Sequence, residues 1–155
     1  MEGDKMKNLI NKLNKNTKMI IKDVEYLVKT KTWYTIEEDN TVSYVKCELS
    51  NNKALVIIPD DNFMYIGEVI KDMKYDVLSD DKIKYNNMIF NKTGSGHQYI
   101  TKIEFGDTDE VEGKCIFEDY EAEDYIISLG ILPDEGNIRA DVFANIIDLE
   151  DIYIK

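Results

Sequence analysis

Apolar residues follow two different periods along the chain. Near the N-terminus, Met6, Leu9, Ile10 and Leu13 recur at the spacing of one helical face, with lysines around them. This spacing predicts an amphipathic helix packed on the body of the protein, the alternative being a helix that lies on a membrane surface or seeks a partner. The rest of the chain is a series of short runs rich in Val, Ile, Tyr and Phe, separated by Asn- and Asp-rich turns. Such runs are typical of antiparallel strands joined by hairpins, so the pattern predicts a mainly β protein.

The C-terminal segment is compatible with two structures. Val142, Phe143, Ile146 and Ile147 have helical spacing, whereas Asp148–Lys155 alternates like a strand. We expect a short C-terminal helix followed by a strand, and one long bent strand is the alternative.

Two parts of the chain resemble each other in their apolar pattern. The run VKCEL in Val45–Leu49, for example, matches TKIEF in Thr101–Phe105. We therefore predict a single domain over residues 1–155, with an internal duplication at 17–70 and 82–131. The two related antiparallel β units are expected to form a barrel- or sandwich-like arrangement.

Composition adds a strong and uneven negative charge. The 155 residues carry a formal net charge of −12, although lysines outnumber acids in residues 1–22. A body this acidic repels phosphate groups, which argues against binding to nucleic acid or to an anionic membrane. Arg139 is the only arginine of the chain, and arginine is the residue best suited to grip phosphate.

The cysteines and the histidine do not indicate a metal or a cofactor. Cys47 and Cys115 form no CxxC pair, and His97 is the only histidine, so a zinc site lacks ligands. No run approaches the roughly 18 apolar residues of a membrane span. We expect a cytoplasmic protein with reduced thiols, and the abundance of Lys, Asn, Ile and Tyr suggests a bacterial or phage source.

Acidic residues concentrate in the segment 104–124. Asp107–Glu118 departs from a calcium-binding EF-hand loop at its fifth and sixth positions, Val111 and Glu112, so a solvated hairpin turn is the preferred interpretation. In Phe117–Gly130 the crowded carboxylates favour an exposed acidic edge over a pair of catalytic carboxylates. We expect no catalytic residue and no metal ligand here.

Two further motifs have an ordinary structural interpretation. The order of residues around Gly94-Ser95-Gly96 lacks the lysine and Ser/Thr of a phosphate-binding loop, and a hairpin connection is expected instead. Trp33 and Tyr34 predict a core tryptophan at a strand start, or an anchor at an interface.

A cadence of an aromatic strand, an extended strand with an E-x-L pattern and an apolar strand occurs in both halves of the chain. Its segments are Trp33-Tyr34, Tyr44–Leu49 and Leu55–Ile58, then Tyr99–Phe105 and Cys115–Tyr120. In this cadence the chain resembles the bacterial domain-of-unknown-function family 4178, over residues 17–150. The resemblance implies a small β-rich domain without an assigned activity.

These observations lead to three hypotheses about function. We predict a non-enzymatic module whose acidic face binds a basic protein partner, for example as an immunity-type inhibitor of a basic toxin. The alternative is a ligand-binding or enzymatic β barrel, whose Tyr- and Phe-lined cavity holds one or two buried carboxylates. The third is self-association of the lysine-rich helix with the acidic body of another copy, and the oligomeric state stays open. The expected partner-binding residues are Trp33, Tyr34, Glu118, Asp119, Tyr120, Glu121, Glu123 and Asp124.

Overall fold

The computed structural model describes residues 2–36, 39–108, 111–132, 138–139 and 141–155. Its helix α1 spans Glu2–Lys12. The strands are β1 (Lys18–Ile21), β2 (Val24–Leu27), β3 (Lys31–Ile36), β4 (Asp39–Leu49), β5 (Lys53–Ile58), β6 (Phe63–Val69), β7 (Asp76–Ser79), β8 (Lys82–Tyr85), β9 (Met88–Phe105), β10 (Gly113–Ala122), β11 (Tyr125–Leu132), β12 (Ile138–Arg139), β13 (Val142–Ile147) and β14 (Ile152–Ile154).

Eight of these strands close into an antiparallel barrel. Neighbouring strands hydrogen-bond in the order β3-β4-β5-β6-β13-β11-β10-β9, and β9 pairs back with β3. The hairpin β7–β8 continues outward from the first part of β9, and β14-β1-β2 form a separate small sheet. The prediction of a mainly β, barrel-like fold with an N-terminal helix is thus confirmed, while the internal duplication stays a prediction.

Side chains of the barrel strands alternate between its interior and its outer surface, because successive residues of a strand point to opposite faces. The interior cluster includes Tyr34, Tyr44, Val56, Tyr65 and Ile100. Two further apolar clusters lie outside. One is sandwiched between β4–β6 and the layer formed by α1 with the small sheet. The other lies between β10, β11 and β13 and the β7–β8 hairpin.

Helix α1 is held on the barrel by its apolar face and by a buried lysine. Met6 and Leu13 are buried against the outside of the barrel, which confirms the predicted packing of the helix on the body. Lys31, 3% exposed, donates from Nζ to the carbonyl oxygens of Ile10 at 2.8 Å and Leu13 at 3.2 Å. Its ammonium also pairs with Glu104 at 3.5 Å. A cation at this end satisfies carbonyls that have no partner within the helix.

The expected C-terminal helix is wrong, because Val142–Ile147 forms strand β13 between β6 and β11. Val142 and Ala144 face the barrel interior, whereas Phe143 and Ile147 pack in the outer clusters. With apolar residues on both faces, the period of two is hidden in the sequence. A 3-10 turn at Leu149–Asp151 then leads to β14.

Gly67 of β6 is required by the close approach of β13, and we predict that Gly67→Ala destabilises the barrel. An added Cβ would lie 2.1 Å from the Phe143 carbonyl oxygen and 2.4 Å from the Cα of Ala144. Since backbone atoms cannot move aside cheaply, the free energy of unfolding in urea should fall by about 1–3 kcal/mol or more.

Gly94→Ala is the matched control for this measurement. The added Cβ at Gly94 has no neighbour closer than 3.9 Å, an atom of the Phe117 ring. The free energy of unfolding should therefore change by less than about 1 kcal/mol. Equal stabilities of the two variants would contradict the close packing at Gly67.

Candidate functional site

One end of the barrel opens into a cavity of about 340 Å³, called the cup below. Its position follows from its lining, which includes the last residues of β3 and β5, Ile36 and Ile58, and the first residue of β6, Phe63. The cup combines aromatic rings, carboxylates and neutral polar groups. The rings are those of Tyr44, Phe63, Tyr65 and Phe117. The carboxylates are Asp61, Asp119 and Glu121, and the neutral polar groups are Thr93, Gln98 and Ser128.

Strand β10 supplies much of the chemistry of the cup through simple alternation. Phe117, Asp119 and Glu121 line the cup. The residues between them face outward, so that Glu118 pairs with Lys92 at 3.3 Å and Tyr120 is buried in the outer cluster under the β7–β8 hairpin. The acidic run of the sequence is therefore divided between the inside and the outside of the barrel.

Asp119 is the carboxylate set deepest among protein atoms in this site. Ser128, its cross-strand neighbour on β11, donates a hydrogen bond from Oγ to Asp119 Oδ1 at 2.7 Å. Burial raises the pKa of the Asp119 carboxyl from 3.8 to about 6, the Ser128 hydrogen bond opposes this shift, and the charge of Glu121 adds to it. The expectation that this carboxylate is exposed is wrong, because strand alternation directs it into the cup.

Two glycines on the neighbouring strand lie opposite residues of the cup, and one of them, Gly94, lines it. Gly94 lies opposite Asp119 and Gly96 opposite Phe117 in the pairing of β9 with β10. Both glycines belong to the 18-residue strand β9, so the predicted hairpin connection at this motif is wrong. Glycine inside a strand marks a place where something approaches the backbone closely, and this was the signal available in the sequence.

The floor of the cup is a polar and aromatic layer. The Tyr44 hydroxyl donates a hydrogen bond to Gln98 Oε1, and the Tyr44 ring stacks on that of Tyr34, with centroids 4.8 Å apart and planes within 6°. Stacked tyrosines hold each other in a defined orientation. The hydroxyl of Tyr44 is thereby held at the boundary between the cup and the barrel interior.

Beneath this floor lies a second cavity of about 40 Å³, called the inner chamber below. Its lining includes Tyr34, Lys46 and Cys115. Four residues line both cavities, which therefore lie next to each other in the barrel. They are Tyr44, Tyr65, Gln98 and Ser128.

The other predicted partner-binding residues lie elsewhere. Trp33 faces outward and donates from Nε1 to Glu104 at 3.0 Å, while Tyr34 is 4% exposed inside the barrel. Glu123 and Asp124 are exposed at the turn between β10 and β11. The eight residues named from the sequence thus do not form one surface.

A larger depression of about 890 Å³ lies beside the β7–β8 hairpin. Lys71, Lys74 and Lys84 line it together with Asp72 and Asp76. Charges of both signs alternate along this open groove, so it selects a ligand charge less clearly than the cup. The remaining charged residues of its lining are Arg139 and Asp141, which form an ion pair at 3.1 Å.

Burial makes one of the two cysteines, Cys47, unreactive. Both Cys47 and Cys115 are free thiols and buried. Burial raises the pKa of the Cys47 thiol to about 12. A thiol that holds its proton so firmly is a poor nucleophile and metal ligand.

Comparison of the chain with protein-family models, with curated proteins and with solved structures gave no match. The resemblance to family 4178 therefore stays a prediction. Within the described ranges, no group of three or more His, Cys, Asp or Glu side chains is placed to hold a metal ion. None of the helices in this part of the chain has the length and apolarity to cross a membrane.

The raised pKa of Asp119 predicts that Asp119→Asn stabilises the protein at neutral pH. Between pH 3.8 and about 6 the folded state keeps a proton that the unfolded chain has released, so wild-type stability falls as pH rises through this window. The asparagine cannot ionise and avoids this loss. The variant should exceed wild type by about 1–3 kcal/mol at pH 7.5, and the difference should vanish near pH 4.

Urea denaturation at a series of pH values measures this difference. Glu123→Gln removes one negative charge from the exposed turn of the same hairpin, and it should change stability by less than about 0.5 kcal/mol at any pH. If the free energy of unfolding of Asp119→Asn changes with pH in the same way as that of wild type, the pKa of Asp119 is not raised by folding and the prediction is wrong.

Proposed function

We propose that the protein is a binding protein whose barrel holds a small organic cation in the cup. The observation that carries this proposal is the Asp119 carboxyl, recessed among aromatic side chains at an open end of the barrel. A concave cavity in which aromatic and apolar side chains surround converging polar groups is a usual form of small-molecule site. Its volume of about 340 Å³ suits a ligand rather than a folded partner.

The charge of the ligand follows from the carboxylates. With a pKa of about 6, Asp119 is mainly ionised at neutral pH although its surroundings disfavour the charge. A bound cation stabilises that charge, and Glu121 in the same cup adds a second attraction. The overall charge of −12 steers cations towards the protein and anions away from it.

The body of the ligand follows from the rings. Faces of Tyr and Phe attract a cation electrostatically and an apolar body through burial of surface. Tyr44, Tyr65 and Phe117 line the cup from three different strands, β4, β6 and β10. An amine with an aromatic or branched aliphatic body satisfies both the rings and the carboxylates.

This proposal develops the barrel hypothesis of the sequence analysis rather than the acidic-module hypothesis. A basic protein partner stays a prediction, supported by the exposed carboxylates Glu123 and Asp124. The interior position of Asp119 and Glu121 removes two of its expected contacts from the outer surface. The apolar face of α1 is likewise covered by its own barrel, and the exposed polar face of the helix, which includes its lysines, is left for contact with another copy.

We predict that phenethylamine binds to the cup and that Asp119→Asn weakens binding at least tenfold. The reason is that a hydrogen bond to a charged group contributes about 1.5–3 kcal/mol. Gly94→Leu should abolish binding, because the added side chain enters the cup where Gly94 leaves it open. Isothermal titration calorimetry at pH 7.5 measures both effects.

Glu118→Gln is the matched control. It removes a carboxylate from the adjacent position of β10, on the outer face, and should leave the affinity for phenethylamine unchanged. Absence of binding by wild type, or equal losses in Asp119→Asn and Glu118→Gln, would overturn the proposed function.

A further inference from the structure

Two carboxylates of strand β10 lie at different depths in the cup. Asp119 and Glu121 both line it, and because they are two residues apart on one strand, their Cα atoms are separated by roughly 6.5 Å. Asp119 pairs with Ser128, which also lines the inner chamber. Glu121 pairs with Ile126, beside the turn that joins β10 to β11. Glu121 therefore lies nearer the mouth of the cup than Asp119.

A third carboxylate lies across the mouth from Glu121. Asp61 is the last residue of the 3-10 turn that follows β5, and it is an exposed residue of the cup lining. In the closed order of the eight strands, β5 is four strands away from β10 in either direction. Strands with this separation are on opposite sides of the barrel. A cation at the mouth thus has a carboxylate on each side.

The lining supplies no positive charge to balance these carboxylates. None of the described residues that line the cup is a lysine, an arginine or a histidine. The charge of Glu121 raises the pKa of the Asp119 carboxyl, so the two groups are within electrostatic reach of each other. A ligand with a single positive charge at Asp119 leaves Glu121 and Asp61 unbalanced. A second positive charge on the same ligand relieves the repulsion between the carboxylates.

Aromatic rings connect the two depths of the cup. Phe63 is the first residue of β6, at the mouth, and Tyr65 is one inward position deeper on the same strand. Their rings form an edge-to-face pair with centroids 5.9 Å apart. An apolar spacer between two ammonium groups packs on such rings, and each ammonium group is attracted by their faces.

The separation of Asp119 and Glu121 limits the length of this spacer. An extended chain advances by roughly 1.2 Å per bond, so the five or six bonds between the nitrogens of a four- or five-carbon diamine span about 6–7 Å. This span matches the roughly 6.5 Å between the two positions on β10. A benzene ring with an aminomethyl group at each end has a comparable length.

We propose that the ligand of the barrel is a dication, a diamine whose ammonium groups are separated by a short aliphatic chain or by one aromatic ring. One ammonium lies at Asp119. The other lies at the mouth between Glu121 and Asp61, and the spacer lies against the rings of Phe63 and Tyr65. The inference rests on the proposed function, and it adds a second charged contact and a defined length.

The test compares diamines with monoamines of the same size and shape. The pairs are 1,4-bis(aminomethyl)benzene with 4-ethylbenzylamine, and 1,5-diaminopentane with hexylamine, so a methyl group replaces one ammonium in each pair. The compounds are titrated calorimetrically into the protein at pH 7.5 and physiological ionic strength. In wild type the diamine of at least one pair should bind about fivefold or more tightly than its monoamine, because its second ammonium meets a half-buried carboxylate.

Variants locate the second contact. Glu121→Gln keeps the size of the side chain and removes its charge, so the preference for the diamine should fall to about twofold or less, with the affinity for the monoamine changed by less than about threefold. Asp119→Asn should weaken diamine and monoamine together. Glu118→Gln removes a carboxylate from the outer face of β10 and should keep the preference, which controls for attraction by the overall negative charge. Asp61→Asn, at an exposed position, should also lower the preference and decides the point where Glu121→Gln fails to fold.

The outcomes separate this inference from the proposed function. If the monoamines bind wild type as tightly as the diamines, the inference is overturned and the cation-binding cup stands. The inference is likewise overturned if Glu121→Gln keeps the preference, or if Glu118→Gln loses it to the same extent. Failure of all four compounds and of phenethylamine to bind overturns the proposed function itself. Binding of the diamines alone supports both.

Discussion

An eight-stranded barrel has an interior just wide enough to be filled by side chains or to hold one small ligand. In this protein the outside of the barrel is covered as well, by α1 with the small sheet on one side and by the β7–β8 hairpin on another. Strands such as β4 therefore bury both faces, with Val45 and Cys47 outside and Tyr44 and Lys46 inside. The outer faces of the strands stabilise the fold by packing against these covering elements. Inward positions at the open end are therefore available for polar groups.

Buried charges in this fold divide into two kinds according to their partners. Lys31 contacts Glu104 and the carbonyl oxygens of Ile10 and Leu13, in and just after the last turn of α1, so its charge is satisfied within the protein and fixes α1 on the barrel. Asp119 has a neutral hydroxyl and a second carboxylate beside it, so its environment disfavours its charge. A carboxyl shifted by burial in a cavity is a common mark of a functional site. Because their partners differ in this way, we interpret Lys31 as a structural residue and Asp119 as the candidate functional residue.

The sequence was sufficient for the elements whose period is visible. The helical stripe from Met6 to Leu13 and the short apolar runs predicted α1 and most of the strands. β13 was missed because Ala144 is buried on the inward face while Phe143 packs, partly buried, on the outward face, so neither face of the strand is polar. The alternation of β10 was visible in the sequence. The sequence did not indicate which face of β10 is interior, since an aromatic residue lies on each face, Phe117 inside and Tyr120 outside. That choice depends on barrel closure, which is a long-range property.

The two halves of the chain supply different kinds of side chain to the two cavities. Strands β3–β6 supply the tyrosine rings and Lys46, whereas β9–β11 supply Asp119 with its Ser128 partner and the glycines that make room. Pairing of β9 with β3 joins these halves on one side and pairing of β13 with β6 joins them on the other. A ligand that contacts both sets bridges the halves directly. The proposed ligand contacts both sets only in the closed barrel, so its binding would stabilise closure. The cost of placing the ionised Asp119 carboxyl inside the barrel would then be offset in the complex with a cation.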